Sequence, residues 1–345
     1  MPDETEHLRA ARRFFEYLAT RLNAGIAIGL WDGSRIPLDK DPYPALCLQI
    51  ASPAVMGTIA RRPTPETLAR EYAQGGLSVQ GGDLIDFGAA VRDRSSKRDL
   101  RRLSKTRLLR LAFPFLGFPG HRSEMAHGYA DEATGRRQSR RNNKAFIQFH
   151  YDVSNEFYQL FLDPEMQYSC AYYTDWDNPL EQAQTDKLEM ICRKLRLQPG
   201  ERLLDIGCGW GGLICYAAQN YGVKAHGVTL SERQYQWVRE KIERLRLKDR
   251  VSVELKDYRD LTGRYDKIAS IGMFEHIGIA NFPAYFKKIR SLLREQGLLL
   301  NHSITNRAKK PRRFRPRRIA GEKRLLLKYI FPGSELADIG TMLQS

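Results

Sequence analysis

Residues 202–212 read Arg-Leu-Leu-Asp-Ile-Gly-Cys-Gly-Trp-Gly-Gly, and this stretch decides the fold. Arg202–Ile206 is a short apolar run of strand type. The glycines that follow let the backbone turn tightly and approach a ligand closely, and Leu213–Asn220 resumes with a helical pattern. The alternation continues outward. Val223–Thr229, Val251–Leu255, Lys267–Ile271 and Gly297–Ile304 read as strands, and Ser231–Leu245 and Phe282–Leu293 as helices. Ahead of the loop, Leu180–Leu195 is a helical pattern that ends before Pro199-Gly200. This rhythm predicts an α/β fold with a doubly wound parallel sheet, whose ligands bind at the carboxyl ends of the strands.

The loop admits two cofactors. Gly207, Gly209 and Gly212 satisfy the G-x-G-x-x-G pattern of nicotinamide sites, but such sites place an acid about 20 residues further on to hold the ribose. That position falls on Gly227-Val228-Thr229, which has no acid. Asp205, two residues before the first glycine, instead resembles the D-x-G-x-G-x-G loop of S-adenosylmethionine-dependent methyltransferases.

The chain has 345 residues, enough for two domains, and 42% of them are hydrophobic, which excludes wholesale disorder. Residues 1–115 predict a smaller N-terminal α+β domain. It would hold an amphipathic helix over 5–23, a hairpin from Ile26 to Pro37 around Asp32-Gly33, and a helix over Glu66–Gln74 between Thr64-Pro65 and Gly75-Gly76. Weak alternation runs from Leu77 to Phe87. Gly117 to Asn143 has no periodic pattern, so 116–145 is expected to be a basic flexible linker and 146–345 the α/β domain.

The formal charge is +16. Nine basic residues face two acids from Arg92 to Arg110, and eleven face one from Arg307 to Lys328; these windows hold essentially the whole excess. A further cluster, Arg136, Arg137, Arg140, Arg141 and Lys144, is balanced elsewhere. Such charge points to a polyanionic partner. Leu325, Leu326, Leu327, Tyr329, Ile330 and Phe331 adjoin the second window, which favours an anionic membrane surface. A nucleic-acid binder would interleave stacking aromatics, and within 307–318 only Phe314 is aromatic, so no nucleic acid is expected. No apolar run reaches the roughly 18–20 residues of a membrane span. Met1–His7 carries three acids and no signal pattern. Cys47, Cys170, Cys192, Cys208 and Cys215 have neither disulfide nor metal spacing. The expectation is a metal-free cytoplasmic protein, peripherally bound to the inner face of the membrane.

Residues 146–305 closely resemble the cyclopropane-fatty-acyl-phospholipid synthases and the mycolic acid cyclopropane and methyl synthases. The matching segments are His150–Ser154, Gln167–Tyr172, Leu204–Gly212, Gly227–Ser231, Asp257–Asp260 and Gly272–Gly278, with Phe331-Pro332-Gly333 beyond them. The N-terminal 115 residues resemble the extra domain of the longer members more loosely. The resemblance implies a Rossmann-like class I methyltransferase sheet. It also implies a reaction: the methyl group of S-adenosylmethionine is added to a cis double bond of a phospholipid acyl chain, and loss of a methyl proton closes a cyclopropane ring. The cofactor would lie against Tyr168, Ser169, Leu204, Asp205, Gly207, Cys208, Gly209, Trp210, Gly211, Thr229, Gln234, Asp257 and Tyr258. The catalytic residues would be Cys170, Glu275 and His302, which with the backbone of Ile304 hold a bicarbonate ion that serves as base.

The chemistry is consistent with those residue types. An alkene has no proton to lose before attack, and the sulfonium already makes the methyl electrophilic. Aromatic faces can stabilise the carbocation that follows, and Tyr168, Tyr172, Phe274 and Tyr285 are candidates. A base must then take the methyl proton at short range. Taken alone, Cys170 reads as a small buried hydrophobe and His302 as a core histidine. Their place in the motif and at the strand ends makes them candidates.

Family members continue well past Phe331-Pro332-Gly333, so the chain is expected to be truncated, with its last strands missing and a sheet edge exposed. Three readings stay open at this point: a cyclopropane synthase, a related lipid C-methyltransferase leaving a methyl branch, and an inactive membrane-binding homologue. A nucleic-acid methyltransferase is disfavoured, since no Asn-Pro-Pro-Tyr motif is present. A homodimer is left open.

Overall fold

A computed structural model describes residues 4–39, 44–94, 103–117, 154–308, 330–331 and 334–345. Outside them lie the expected linker from residue 118 on, the cluster Arg136–Lys144, His150–Val153, Pro332-Gly333, and the second basic window apart from Arg307 and Ala308. The described residues divide into two compact units, one before Gly128 and one after it.

The first unit carries a four-stranded sheet in the order β2-β1-β3-β4, from β1 (Ile26–Gly29), β2 (Arg35–Pro37), β3 (Leu46–Ile50) and β4 (Leu77–Gln80). The predicted hairpin is β1–β2, and β1 also pairs in parallel with β3. Its helices are α1 (Glu4–Ala19), α2 (Pro53–Arg61), α3 (Pro65–Ala73), α4 (Leu84–Arg94) and α5 (Lys105–Leu116). Phe15, Ile28, Leu30, Ile50 and Phe115 meet in the core. Thr64 caps α3 as its sequence suggests, its hydroxyl accepting from the Thr67 N–H at 3.2 Å. The stretch Leu77–Phe87 divides into β4 and the start of α4, because the Asp83 carboxylate accepts from the amides of Ile85 and Asp86 at 2.7 and 2.8 Å.

The second unit holds α6 (Asn155–Gln159), α7 (Leu180–Leu195), β5 (Arg202–Ile206), α8 (Gly212–Tyr221), β6 (Lys224–Thr229), α9 (Glu232–Arg244), β7 (Val251–Leu255), β8 (Tyr265–Ile271), α10 (Phe282–Leu292), β9 (Leu293–His302) and α11 (Ile339–Leu343). The strands form one all-parallel sheet in the order β7-β6-β5-β8-β9. Strand order reverses beside β5, so the glycine loop opens at the switch point of a doubly wound Rossmann-like α/β sheet, where such folds bind ligands. Leu203, Ile214, Ala218, Val238 and Ile191 fill one side of the sheet, and Leu204, Ile268, Phe274, Phe282 and Tyr285 fill the other.

The last strand departs from the expectation of Gly297–Ile304. It begins at Leu293, passes an irregularity opposite Tyr265/Lys267 with Gln296 at φ 59°, and ends at His302. Ile304 therefore lies beyond the strand, free of its ladder.

Candidate active site

Four carboxyl ends of strands, with the segment Met166–Ser169 and helix α7, enclose one cleft. The loop after β5 is shaped for close approach. Gly207 and Gly209 take φ values of 76° and 54°, and the amides of Gly207 and Cys208 both donate to the Val228 carbonyl, at 2.9 and 3.1 Å. Across from it, a Cβ on Gly227 would stand 2.8 Å from Cys208 Sγ and 2.9 Å from Ile214 Cδ1. The position where a nicotinamide site begins its search for an acid is thus too tight for any side chain.

At one end of the cleft, Asp205 and Lys187 are each 3% exposed. Burial raises the Asp205 pKa to about 7, against the lowering pull of the Lys187 charge. Burial lowers Lys187 to about 8, opposed by the nearby charges of Asp163, Cys170 and Asp205. Lys187 Nζ donates to Ser169 Oγ at 2.8 Å, and Gln184 Nε2 donates to the carbonyls of Gln167 and Ser169 at 3.2 and 3.0 Å. Two polar residues on the buried stripe of α7 therefore brace the segment that carries Tyr168 and Ser169.

At the other end, Thr229 Oγ1 donates to Gln234 Oε1 at 2.7 Å while accepting from the Ser231 amide at 3.2 Å. The Arg259 guanidinium forks onto Asp257, with Nε–Oδ1 2.8 Å and Nη2–Oδ2 2.5 Å. Tyr258 meets the core ring of Tyr285 edge-on at 5.5 Å. His276 forms part of the wall, and burial lowers its pKa to about 4, which keeps it neutral. Trp210 is fixed below the loop by its N–H, which donates to Asn155 Oδ1 at 2.8 Å, and by the ring of Tyr158 at 4.8 Å.

Of the residues expected around the methyl donor, Tyr168, Ser169, Asp205, Gly207, Cys208, Gly209, Trp210, Thr229, Gln234, Asp257 and Tyr258 all line this cleft. Leu204 and Gly211 do not. Leu204 sits in the strand with no exposure and packs into the core. Gly211 takes φ 80° at the start of α8, and a Cβ there would stand 3.0 Å from both Val238 methyls. The sequence reading missed Gln184, Lys187, Arg259 and His276. For the first two a signal existed: they occupy the same helical stripe as Ala183, Leu188 and Ile191, where a polar residue needs a reason.

The catalytic candidates gather less completely. Glu275 is 7% exposed just past β8, and its Oε1 accepts from the Ile304 N–H at 2.6 Å. Its Oε2 is buried without a hydrogen-bond partner, as is Nδ1 of His302 at the end of β9. Burial lowers the His302 pKa, while the Glu275 charge works to raise it. The segment after residue 333 pins this corner: the Glu335 amide donates to the Glu275 carbonyl at 2.9 Å, and Glu335 Oε2 accepts from the Ile279 amide at 2.9 Å. Cys170 is exposed. Neither Cys170 nor Glu275 nor His302 is among the residues lining the cleft.

An unpartnered acceptor on Glu275 and an unpartnered ring nitrogen on His302 are groups of the kind that would hold a small anion with a proton to donate, such as bicarbonate. The Ile304 N–H is already engaged by Glu275, so its part is to orient that carboxylate. The aromatic candidates divide: Tyr168 lines the cleft and Tyr172 is about half exposed. Phe274 and Tyr285, however, are core residues, with Phe274 stacked on Phe282 at 4.0 Å and edge-on to Tyr285 at 5.3 Å. Rings closed in on both sides have no free face for a cation.

A family model for mycolic acid cyclopropane synthetase matches residues 138–345. A probable fatty acid methyltransferase of Pseudomonas putida is 38% identical over 328 residues, covering 94% of this chain and 74% of that protein. The cyclopropane-fatty-acyl-phospholipid synthase of Escherichia coli (strain K12) is 44% identical over 203 residues, 57% of this chain and 48% of that protein. Among solved structures, that of a mycolic acid cyclopropane synthase complexed with SAH and CTAB has a TM-score of 0.53 at 34% identity, covering 58% of this chain and 72% of that one.

Proposed function

This chain belongs to the mycolic acid cyclopropane synthetase family and is an S-adenosylmethionine-dependent methyltransferase of the cyclopropane synthase type; we propose that it acts on cis double bonds of unsaturated phospholipid acyl chains and closes a cyclopropane ring. The observation that carries the proposal is the buried corner of Glu275 and His302, whose two unpartnered polar atoms lie at the ends of the strands flanking the methyl-donor cleft. An alkene that accepts the methyl becomes a carbocation that must lose a proton from the newly added methyl to close a ring, and a proton acceptor held at this corner serves that loss.

Each residue then has a task. Tyr168, Ser169, Thr229, Gln234 and the glycine loop hold the methyl donor, and Tyr168 offers a ring face to positive charge. Glu275, oriented by the Ile304 amide, and His302 hold the proton acceptor, and the resemblance to the family adds Cys170 to them. Bicarbonate, when bound there, supplies the acceptor for that proton. An anion bound there would turn its own proton toward Glu275, since two bare anions side by side in a dry corner repel.

The substrate is presented by an anionic membrane surface on its cytoplasmic side. The basic windows support this, and so does α5, which exposes Leu109 and Phe113 beside Lys105 and Arg110. Among the described residues no helix is long and apolar enough to cross a membrane.

A second reading has its own support. The relative that covers 94% of this chain is named a probable fatty acid methyltransferase, a name that also accommodates a methyl-branched product. The test is labelled S-adenosylmethionine with liposomes of mono-unsaturated phospholipid, followed by mass spectrometry of the acyl chains before and after hydrogenolytic ring opening. A ring supports the proposal, a branch supports the second reading, and label that never reaches lipid while S-adenosylhomocysteine still binds refutes both.

A further inference from the structure

Lys187 has no part in the reaction as described so far, yet it stands in the cleft wall with 3% of its surface exposed. An ammonium has three donors and no acceptor. Its Nζ donates to Ser169 Oγ at 2.8 Å, so that hydroxyl must direct its own proton elsewhere. Ser169 also lines the cleft, and its main chain is held in place by Gln184. The hydroxyl is therefore a fixed donor toward the ligand, strengthened by the cation behind it. Asp205 lines the same end, with Oδ1 buried and unpartnered. S-adenosylmethionine brings a sulfonium and an α-ammonium, both repelled by a buried lysine, and one anionic group, the α-carboxylate. Charge complementarity admits one arrangement, with the carboxylate toward Ser169 and Lys187 and the α-ammonium toward Asp205.

We propose that Lys187 is a positioning residue for the methyl donor: by polarising the Ser169 hydroxyl it makes this end of the cleft a seat for the α-carboxylate, and so sets which way round the donor lies. The inference concerns the donor and holds whichever lipid the enzyme accepts.

The test removes the carboxylate and the lysine separately. S-adenosylhomocysteine and its decarboxylated analogue are titrated calorimetrically into the full chain, into Lys187→Met, into Ser169→Ala and into the double variant. The unaltered chain prefers the carboxylated ligand. Each single variant loses about tenfold to a hundredfold in affinity for it, the range of a hydrogen bond to a charged group, and binds the decarboxylated analogue almost as before. The double variant is no worse than either single one, because the two residues act as a unit. Lys187→Arg, which keeps a cation and donors, recovers part of the preference. Equal weakening of both ligands in Lys187→Met overturns the proposal, and so do additive losses in the double variant. Where Lys187→Met does not fold, Ser169→Ala decides alone, and an undiminished preference for the carboxylated ligand overturns it.

Discussion

Replacing Asp205 by asparagine separates the cost of a buried charge from its use. Asp205 is the penultimate residue of β5 with 3% of its surface exposed, and burial raises its pKa from 3.8 to about 7, with Lys187 pulling the other way. In the unfolded chain the carboxyl ionises near its ordinary value. Between about pH 4 and 7 the folded protein thus keeps a proton that the unfolded chain has released. This contribution to stability is full below the unfolded pKa and is lost as pH rises toward the folded one. For one group with these two values, the loss from pH 5 to pH 7 is about 2 kcal/mol, or about 4–8 °C in melting temperature for a unit of this size.

Asparagine keeps the shape and does not titrate. Without ligand, the melting temperature of Asp205→Asn relative to the unaltered chain is expected to climb by that amount over the same interval. Groups not coupled to Asp205, His276 and His302 among them, largely cancel in the difference, whereas Lys187, whose pKa Asp205 helps to raise, falls further in the variant. Scanning calorimetry at half-unit pH steps reads it directly, and a difference that stays flat from pH 5 to pH 7 would refute the buried-charge account. On the proposed seating of the donor, the same variant is expected above pH 7 to bind S-adenosylhomocysteine about tenfold or more weakly, since the carboxylate facing the α-ammonium is gone. Greater stability with weaker binding is the usual trade at a strained functional position.

Glu275→Gln keeps an oxygen for the Ile304 amide but removes the charge; turnover is expected to fall by about a hundredfold or more while S-adenosylhomocysteine affinity, measured by calorimetry, changes little. Thr229→Val breaks the 2.7 Å link to Gln234 and is expected to raise KM for the methyl donor by about three- to tenfold with kcat nearly unchanged, the sign of lost uniform binding. Gly227→Ala places a Cβ 2.8 Å from Cys208 Sγ and is expected to cost about 1–3 kcal/mol, seen as a lower melting temperature. Burial lowers the His302 pKa, so its imidazole is neutral throughout pH 7–8, and kcat/KM should show no histidine limb in that interval.

The loop over 205–212 gave away the sheet because its signal is local: glycines in a row between a strand pattern and a helix pattern have few other uses. Helix α7 and strands β5 and β7 fall on the residues their periodicity predicts. The elements of the first unit that escaped notice, β3, α2 and α5, are short and bounded by prolines or basic runs, and their apolar positions are explained only by a core assembled from distant segments. The misplaced start of β9 has a similar origin. An irregularity in pairing with β8 carries the strand past Gly297, and pairing partners are not written in a strand's own residues.

The site was legible to the extent that each residue sits beside its own strand end. What stayed hidden is what reaches the site from elsewhere. Lys187 and Gln184 arrive from a helix that precedes the sheet, and their sequence neighbours say only that the helix is amphipathic. Phe274 and Tyr285 show the converse error: aromatic residues within a motif suggest a cation site, but the rings of Phe282, Phe286 and Tyr258 close around them. Burial without a hydrogen-bond partner is informative only where it coincides with strand ends, since Trp31 Nε1 in the first unit shares it. Asp205 Oδ1, Glu275 Oε2 and His302 Nδ1 are each buried and unpartnered, a state that costs roughly 1–3 kcal/mol apiece unless a ligand relieves it. A fold that holds three such atoms at the carboxyl ends of adjacent strands is arranged for ligands that bring the missing partners.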